Sequence, residues 1–155
     1  MTTYKVMNLF AEQLRRISDG TRFKTKVVVT PSSVDEAGVV FKLSLLKTRI
    51  DTSCPATGRT RTIRFRLSVS GTAESMTGLE QACEAIEALD EYFIQDNLRL
   101  EEIVEGENSM TAIRKIPNTR ITQRVSEDES FVPNPDSTDV QDVEDVRTIT
   151  ITVPK

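Results

Sequence analysis

Two stretches of strict alternation constrain this chain more than anything else in it. In residues 39–50, Val39, Phe41, Leu43 and Leu45 fall on one face. In residues 59–70 the matching set is Ile63, Phe65, Leu67 and Val69, with Arg64, Arg66 and Ser68 opposite. Successive side chains of a strand point to opposite faces, so each stretch predicts a strand with one apolar and one polar side. The segment between them, DTSCPATG, is rich in turn formers and predicts an extended hairpin with a solvent-exposed tip.

The apolar face of such a hairpin needs a cover, and two segments can supply it. Residues 6–19 place Val6, Phe10, Leu14 and Ile17 at steps of three or four, with Leu9 beside them, and Gly20 ends the helix. Residues 76–96 place Leu79, Cys83, Ile86, Leu89 and Phe93 in one stripe, with Thr77 and Glu80 at capping-box spacing and Glu84, Glu87 and Glu91 on the wet side. Further strands are expected at 23–30, 110–116 and 120–125, and in the closing RTITITV. The fold class is therefore α+β: a mostly antiparallel sheet with an extended β-hairpin and two helices packed on one face. The expected organisation is a single domain over 1–155 with an acidic loop or insert at about 126–146, long enough to bury roughly two-thirds of its unfolded surface.

Several function classes lose their chemistry at once. The chain has no histidine, which removes the commonest general base, Ser/His and Cys/His nucleophile pairs, and His-containing zinc sites. Neither GxGxxG nor GxxxxGK[ST] occurs among only 6 glycines. Asp136, Asp139, Asp142 and Asp145 recur at steps of three, as on one side of a helical turn. The D-x-D-x-D-G order of an EF-hand is missing, however, and Pro133 and Pro135 oppose a helix start. The expectation is a protein that is not an enzyme and uses no cofactor or metal. Cys54, in a polar loop, and Cys83, on a helix face, are expected as free thiols. No apolar run approaches the ~20 residues that cross a bilayer, and the N-terminus turns polar too early for a signal peptide, so the expected setting is a cytoplasm without membrane contact.

Charge is segregated along the chain. Residues 1–75 hold 13 Lys/Arg against 6 Asp/Glu, and residues 76–155 hold 7 against 18. The basic half peaks at Arg59, Arg61, Arg64 and Arg66, and strand pairing should gather Lys47, Arg49, Arg59 and Arg61 at one end of the sheet. The acidic half peaks at Glu127, Asp128, Glu129, Asp136, Asp139, Asp142, Glu144 and Asp145, with no Lys or Arg between the first and last of these. Such a chain can attract copies of itself or a polyanion. A nucleic-acid-binding module using the basic hairpin is the alternative reading, weakened by scarce stacking aromatics and the lack of a recognition helix.

A short N-terminal helix, the hairpin at 39–70, one long helix at 76–96 and the returning strand Arg147–Val153 together resemble phage tail-terminator or neck (head–tail joining) proteins. The resemblance is one of element order over most of residues 4–155. It implies a non-enzymatic structural virion protein that forms a ring, commonly a hexamer, at the tail tube end or neck. There the ring would terminate the tail and join it to the head. The implied partners are further copies of the chain, the tail tube protein and the head connector or neck proteins, with DNA in the ring lumen. The implied location is the virion tail or neck, after assembly in the host cytoplasm. The acidic and basic residues named above are then candidate subunit-interface groups, with the Arg59–Arg66 hairpin meeting acids of a neighbour.

Overall fold

The computed structural model describes residues 1–31, 38–51, 59–136 and 139–154, so Cys54 lies outside the described residues. Helix α1 (Thr3–Asp19) and strand β1 (Val27–Thr30) are followed by the hairpin strands β2 (Val40–Asp51) and β3 (Thr60–Ala73) and by helix α2 (Met76–Phe93). Strands β4 (Glu101–Glu105), β5 (Thr111–Lys115), β6 (Arg120–Val125), β7 (Phe131–Pro133) and β8 (Gln141–Pro154) complete the chain. The main sheet runs β1-β2-β3-β8-β6, with β7 also pairing β8, while β4 and β5 form a separate two-stranded sheet. Among the described strands only β1–β2 is parallel, so the α+β class with a mostly antiparallel sheet holds.

The alternation read from sequence is the packing. Phe41, Leu43, Ile63, Phe65, Leu67, Val69, Ile149 and Ile151 are all fully buried against the helices. Helix α1 answers with Val6, Phe10 and Leu14, and the Phe10 and Phe65 rings lie 6.2 Å apart. Each such side chain contributes about 1.5–3 kcal/mol by leaving water. Helix α2 buries Ala82, Ala85 and Leu89, while Leu79, Ile86 and Phe93 flank them partly exposed and Cys83 is half-buried with a free thiol. Its buried face is thus centred one step away from the expected stripe, on two alanines that let the helix approach the sheet closely.

Other expectations need adjustment. Ser75, not Thr77, caps α2, its hydroxyl accepting from Gly78 N at 3.1 Å. The strand expected over 23–30 shortens to β1, because residues 21–26 bend: Lys24 has φ 50°, the Ser18 hydroxyl donates to Thr25 O, and Arg22 ties the segment to Glu80 of α2 at 3.0 Å. The acidic loop is shorter than expected: β7 lies within it and β8 begins at Gln141, six residues before Arg147. Strands β4 and β7 form where the sequence pattern predicts no strand.

One backbone crossing tolerates no side chain. Gly71 has φ +142°, and a Cβ there would lie 1.9 Å from Gly38 O. Gly71→Ala is therefore expected to cost about 2–4 kcal/mol, combining backbone strain with a forced shift of the β2 entry. A urea midpoint unchanged from the parent protein would refute this account of the crossing.

Candidate interaction surface

Both helices lie on one side of the main sheet, so the chemistry of its other side is set by register; that side is open toward the hairpin end, while Val40 and Ser68 on it are buried. In β3 the outward residues are Thr60, Thr62, Arg64 and Arg66; in β8 they are Thr148, Thr150 and Thr152. Strand β6 adds Arg120, Thr122 and Arg124 beside those threonines. Sequence alternation did not single out Arg120 and Arg124, because six residues give too short a period to assign a face.

A β-bulge decides what β2 contributes. Leu45 pairs with Phe65, but the next partner pair is Lys47 with Arg64, so Leu46 is the extra residue. One inserted residue swaps every later side chain to the opposite face. Uninterrupted alternation would have turned Lys47 and Arg49 toward the helices; the bulge turns them outward, beside Arg64. Lys47, Arg49, Asp51, Thr62 and Arg64 then line a shallow depression of about 290 Å³.

The basic cluster therefore differs from the expected one. Arg61 belongs to the helix side, opposite Ile50, where its guanidinium donates to Met1 O at 3.3 Å and the Thr3 hydroxyl at 3.4 Å. Arg59 is exposed just before β3. Arg64 takes the place expected for Arg61.

The acidic candidates separate into three groups. Asp145, expected as an interface group, is instead buried within the chain's own fold. It sits beside the fully buried Arg147, whose Nε donates to Asp145 Oδ1 at 2.8 Å and whose Nη2 reaches Asp90 of α2 at 2.7 Å. Gln123 Oε1 and the Ser130 hydroxyl complete the network at 3.2 and 3.3 Å. Glu144 is on the open face but binds Arg66 of the same chain at 2.6 Å, so part of the charge separation closes internally. Asp142 accepts from Asn134 Nδ2 at 3.1 Å at the far end of that face. Glu127, Asp128, Glu129, Asp136 and Asp139 are exposed near that end. The four aspartates spaced by three do not converge, because β8 is extended and sends Asp142 and Asp145 to opposite faces.

The resulting face has a gradient. Lys47, Arg49, Arg64 and Arg120 mark its hairpin end, Arg66 and Arg124 flank Thr148 further along, Glu144 meets Arg66 in the middle, and Asp142 marks the far end. Ten residues of β8 separate Thr152 from Asp142, or about 33 Å. A second depression, about 850 Å³, is lined by residues 95–99 and 119–123, including Asp96 and Arg120, and opens widely to solvent. Among the described residues no three His, Cys, Asp or Glu side chains gather as metal ligands, and no helix is long and apolar enough to cross a membrane. Burial raises the Tyr92 phenol to about 12; it lies in the helix layer, where Gln13 donates to its oxygen and partly opposes that rise.

Two substitutions test the electrostatics of the two faces. Asp145→Asn should cost about 3 kcal/mol by leaving the buried Arg147 with Asp90 alone, read as a lower denaturant midpoint. On the open face, Lys47 stands directly opposite Arg64, a like-charge cross-strand pair. Lys47→Glu should therefore stabilise the isolated chain by about 0.2–1 kcal/mol at low salt. An unchanged or lower melting temperature would contradict that reading.

No protein-family model matches the chain, and no curated protein matches it. Among solved structures it is similar to a chain of the virion of a native gene transfer agent particle. That likeness has a TM-score of 0.45 at 13% sequence identity and covers 97% of this chain and 100% of the other.

Proposed function

We propose that this chain is a non-enzymatic structural subunit that assembles head to tail into a ring at the tail tube end or neck of a virion, terminating the tail and joining it to the head. The observation that carries the self-assembly is the charge gradient along one open sheet face. A surface basic at one end and acidic at the other complements a copy of itself in two ways, turned end for end in a reciprocal contact or displaced along the gradient in a non-reciprocal one, and the resemblance in element order favours the second. Displaced, non-reciprocal contacts are heterologous, and they close into a ring where the rotation between copies permits. The place in the virion comes from the resemblance in element order. The tail tube protein and head connector or neck proteins are the partners it implies, and DNA would pass through the lumen.

The assembly should be driven in part by exposed charges, which salt screens over about 8–10 Å. Light scattering at low salt, paired with negative-stain microscopy, is expected to show a ring of about six copies of the 17.4 kDa chain, weakening as salt rises. A strict monomer at every concentration, and also on contact with tail tubes, would overturn the reading.

The basic end also supports a second reading, a nucleic-acid-binding accessory module. Lys47, Arg49, Arg64, Arg120 and Arg124 with interleaved threonine hydroxyls form a surface that can neutralise phosphates. Duplex binding that falls steeply with salt in the monomer would favour it, since each released counterion steepens the slope. Binding that is absent at low salt removes it.

A further inference from the structure

The two-stranded sheet β4–β5 stands apart from the core and exposes what a free hairpin would be expected to hide. Ile103 and Ile113 face each other in register and are 56% and 55% exposed, and Met110 at the turn is 71% exposed. A lone two-stranded hairpin is marginally stable in water. This one is held at its base instead. The Gln13 side chain donates to Arg99 O and accepts from Glu101 N, both at 3.1 Å. Thr119 Oγ1 accepts from Leu100 N at 3.1 Å and donates to Ile116 O at 2.7 Å. The base is ordered while the tip projects, which lowers the entropy lost when the tip docks.

A receiving surface exists on the same chain. Strand β1 pairs only with Phe41–Ser44 of β2, so among the described strands Leu45–Ile50 pairs with β3 alone, while the Thr48 hydroxyl also bonds the Thr3 hydroxyl of α1 at 3.0 Å. That half-strand exposes Leu45, Leu46 and Ile50 together with Lys47 and Arg49. An unpaired strand edge is a template for another strand. The arm carries Glu105 and Glu107 at its tip, complementary in charge to Lys47 and Arg49. The two surfaces also belong to different flanks of the sheet. The arm is rooted beside β6, where Ile121 N donates to Leu98 O at 2.9 Å, whereas the free edge lies across β8 and β3.

We propose that the β4–β5 arm of one copy docks on the unpaired outer half of β2 in the next copy, its isoleucines covering Leu45, Leu46 and Ile50 and its tip carboxylates meeting Lys47 and Arg49. An arm on one flank and its receptor on the other make a heterologous contact, so the inference rests on the ring reading and deepens it.

The test uses the full chain in three forms: wild type, K47E/R49E and E105K/E107K, each checked for wild-type circular dichroism and weighed by light scattering at low salt. Either variant alone sets like charges against like, and its self-association should weaken by tenfold or more. An equimolar mixture should regain the wild-type mass, because each reversed or native arm then finds an edge of opposite charge on the other variant. Should both variants assemble alone as well as wild type, or should the mixture stay dissociated, the arm contact is overturned while the ring reading stands. A wild type that never assembles overturns both. If a charge variant misfolds, I103T/I113T removes the exposed apolar pair without touching the core, and its undiminished assembly would likewise overturn the contact.

Discussion

Fourteen consecutive residue pairs between β3 and β8, from Thr60↔Pro154 to Ala73↔Gln141, set the two faces of this molecule. Because side chains alternate strictly along a strand, that register sends Ile63, Phe65, Leu67, Ile149 and Ile151 toward the helices and Arg64, Arg66, Thr148, Thr150 and Thr152 toward solvent. Neither face can change without the other. A one-residue slip would place arginines in the core and isoleucines in water, at a cost far above the stability of a domain this size. The charged face is thus fixed with the same rigidity as the hydrophobic core.

Arg147 shows how tightly the two are joined. It occupies an inward position of β8 where the pattern calls for an apolar residue, and it is fully buried. It is tolerated because Asp145 on the same strand and Asp90 on α2 answer its charge, while Gln123 takes a further donor. Removing Asp145 takes away the buried half of its countercharge, whereas the intact network fixes how α2 sits on β8. Two carboxylates that look like surface charge in the sequence, Asp90 and Asp145, are therefore committed to the fold.

Legibility in the sequence followed the length of the pattern. Strands β2 and β3 and helices α1 and α2 carry long periods, and their extents agree with expectation within a few residues. The open charged face was only half legible. Arg64 and Arg66 could be assigned by parity, but Lys47 and Arg49 depend on the bulge at Leu46, and nothing in LSLLKTRI marks which residue is extra. Strand β4 escaped notice because EEIVE has three carboxylates in five residues and one apolar pair. It becomes a strand through β5, Gln13 and Thr119, which are distant in sequence. The start of β8 was hidden by its charge: QDVEDV reads as the end of an acidic loop until Val143 and Arg147 are seen to share the inward face.

The residues that make this surface a candidate for assembly also keep it from assembling wrongly. A half-strand exposing Leu45, Leu46 and Ile50 beside an open edge would invite indiscriminate pairing. Lys47 and Arg49 on that edge repel one another's copies and any basic strand, and they stand opposite Arg64 at a small cost to the free chain. Only a strand bringing carboxylates relieves that repulsion while covering the leucines. In the proposed contact, specificity would take the form of an unfavourable term that a correct partner removes, which is how a charged interface rejects competitors more effectively than it strengthens binding. The gradient from the basic hairpin end to Asp142 extends the same logic across the sheet: copies facing each other in parallel register would oppose like charges, whereas displaced or reversed copies would not.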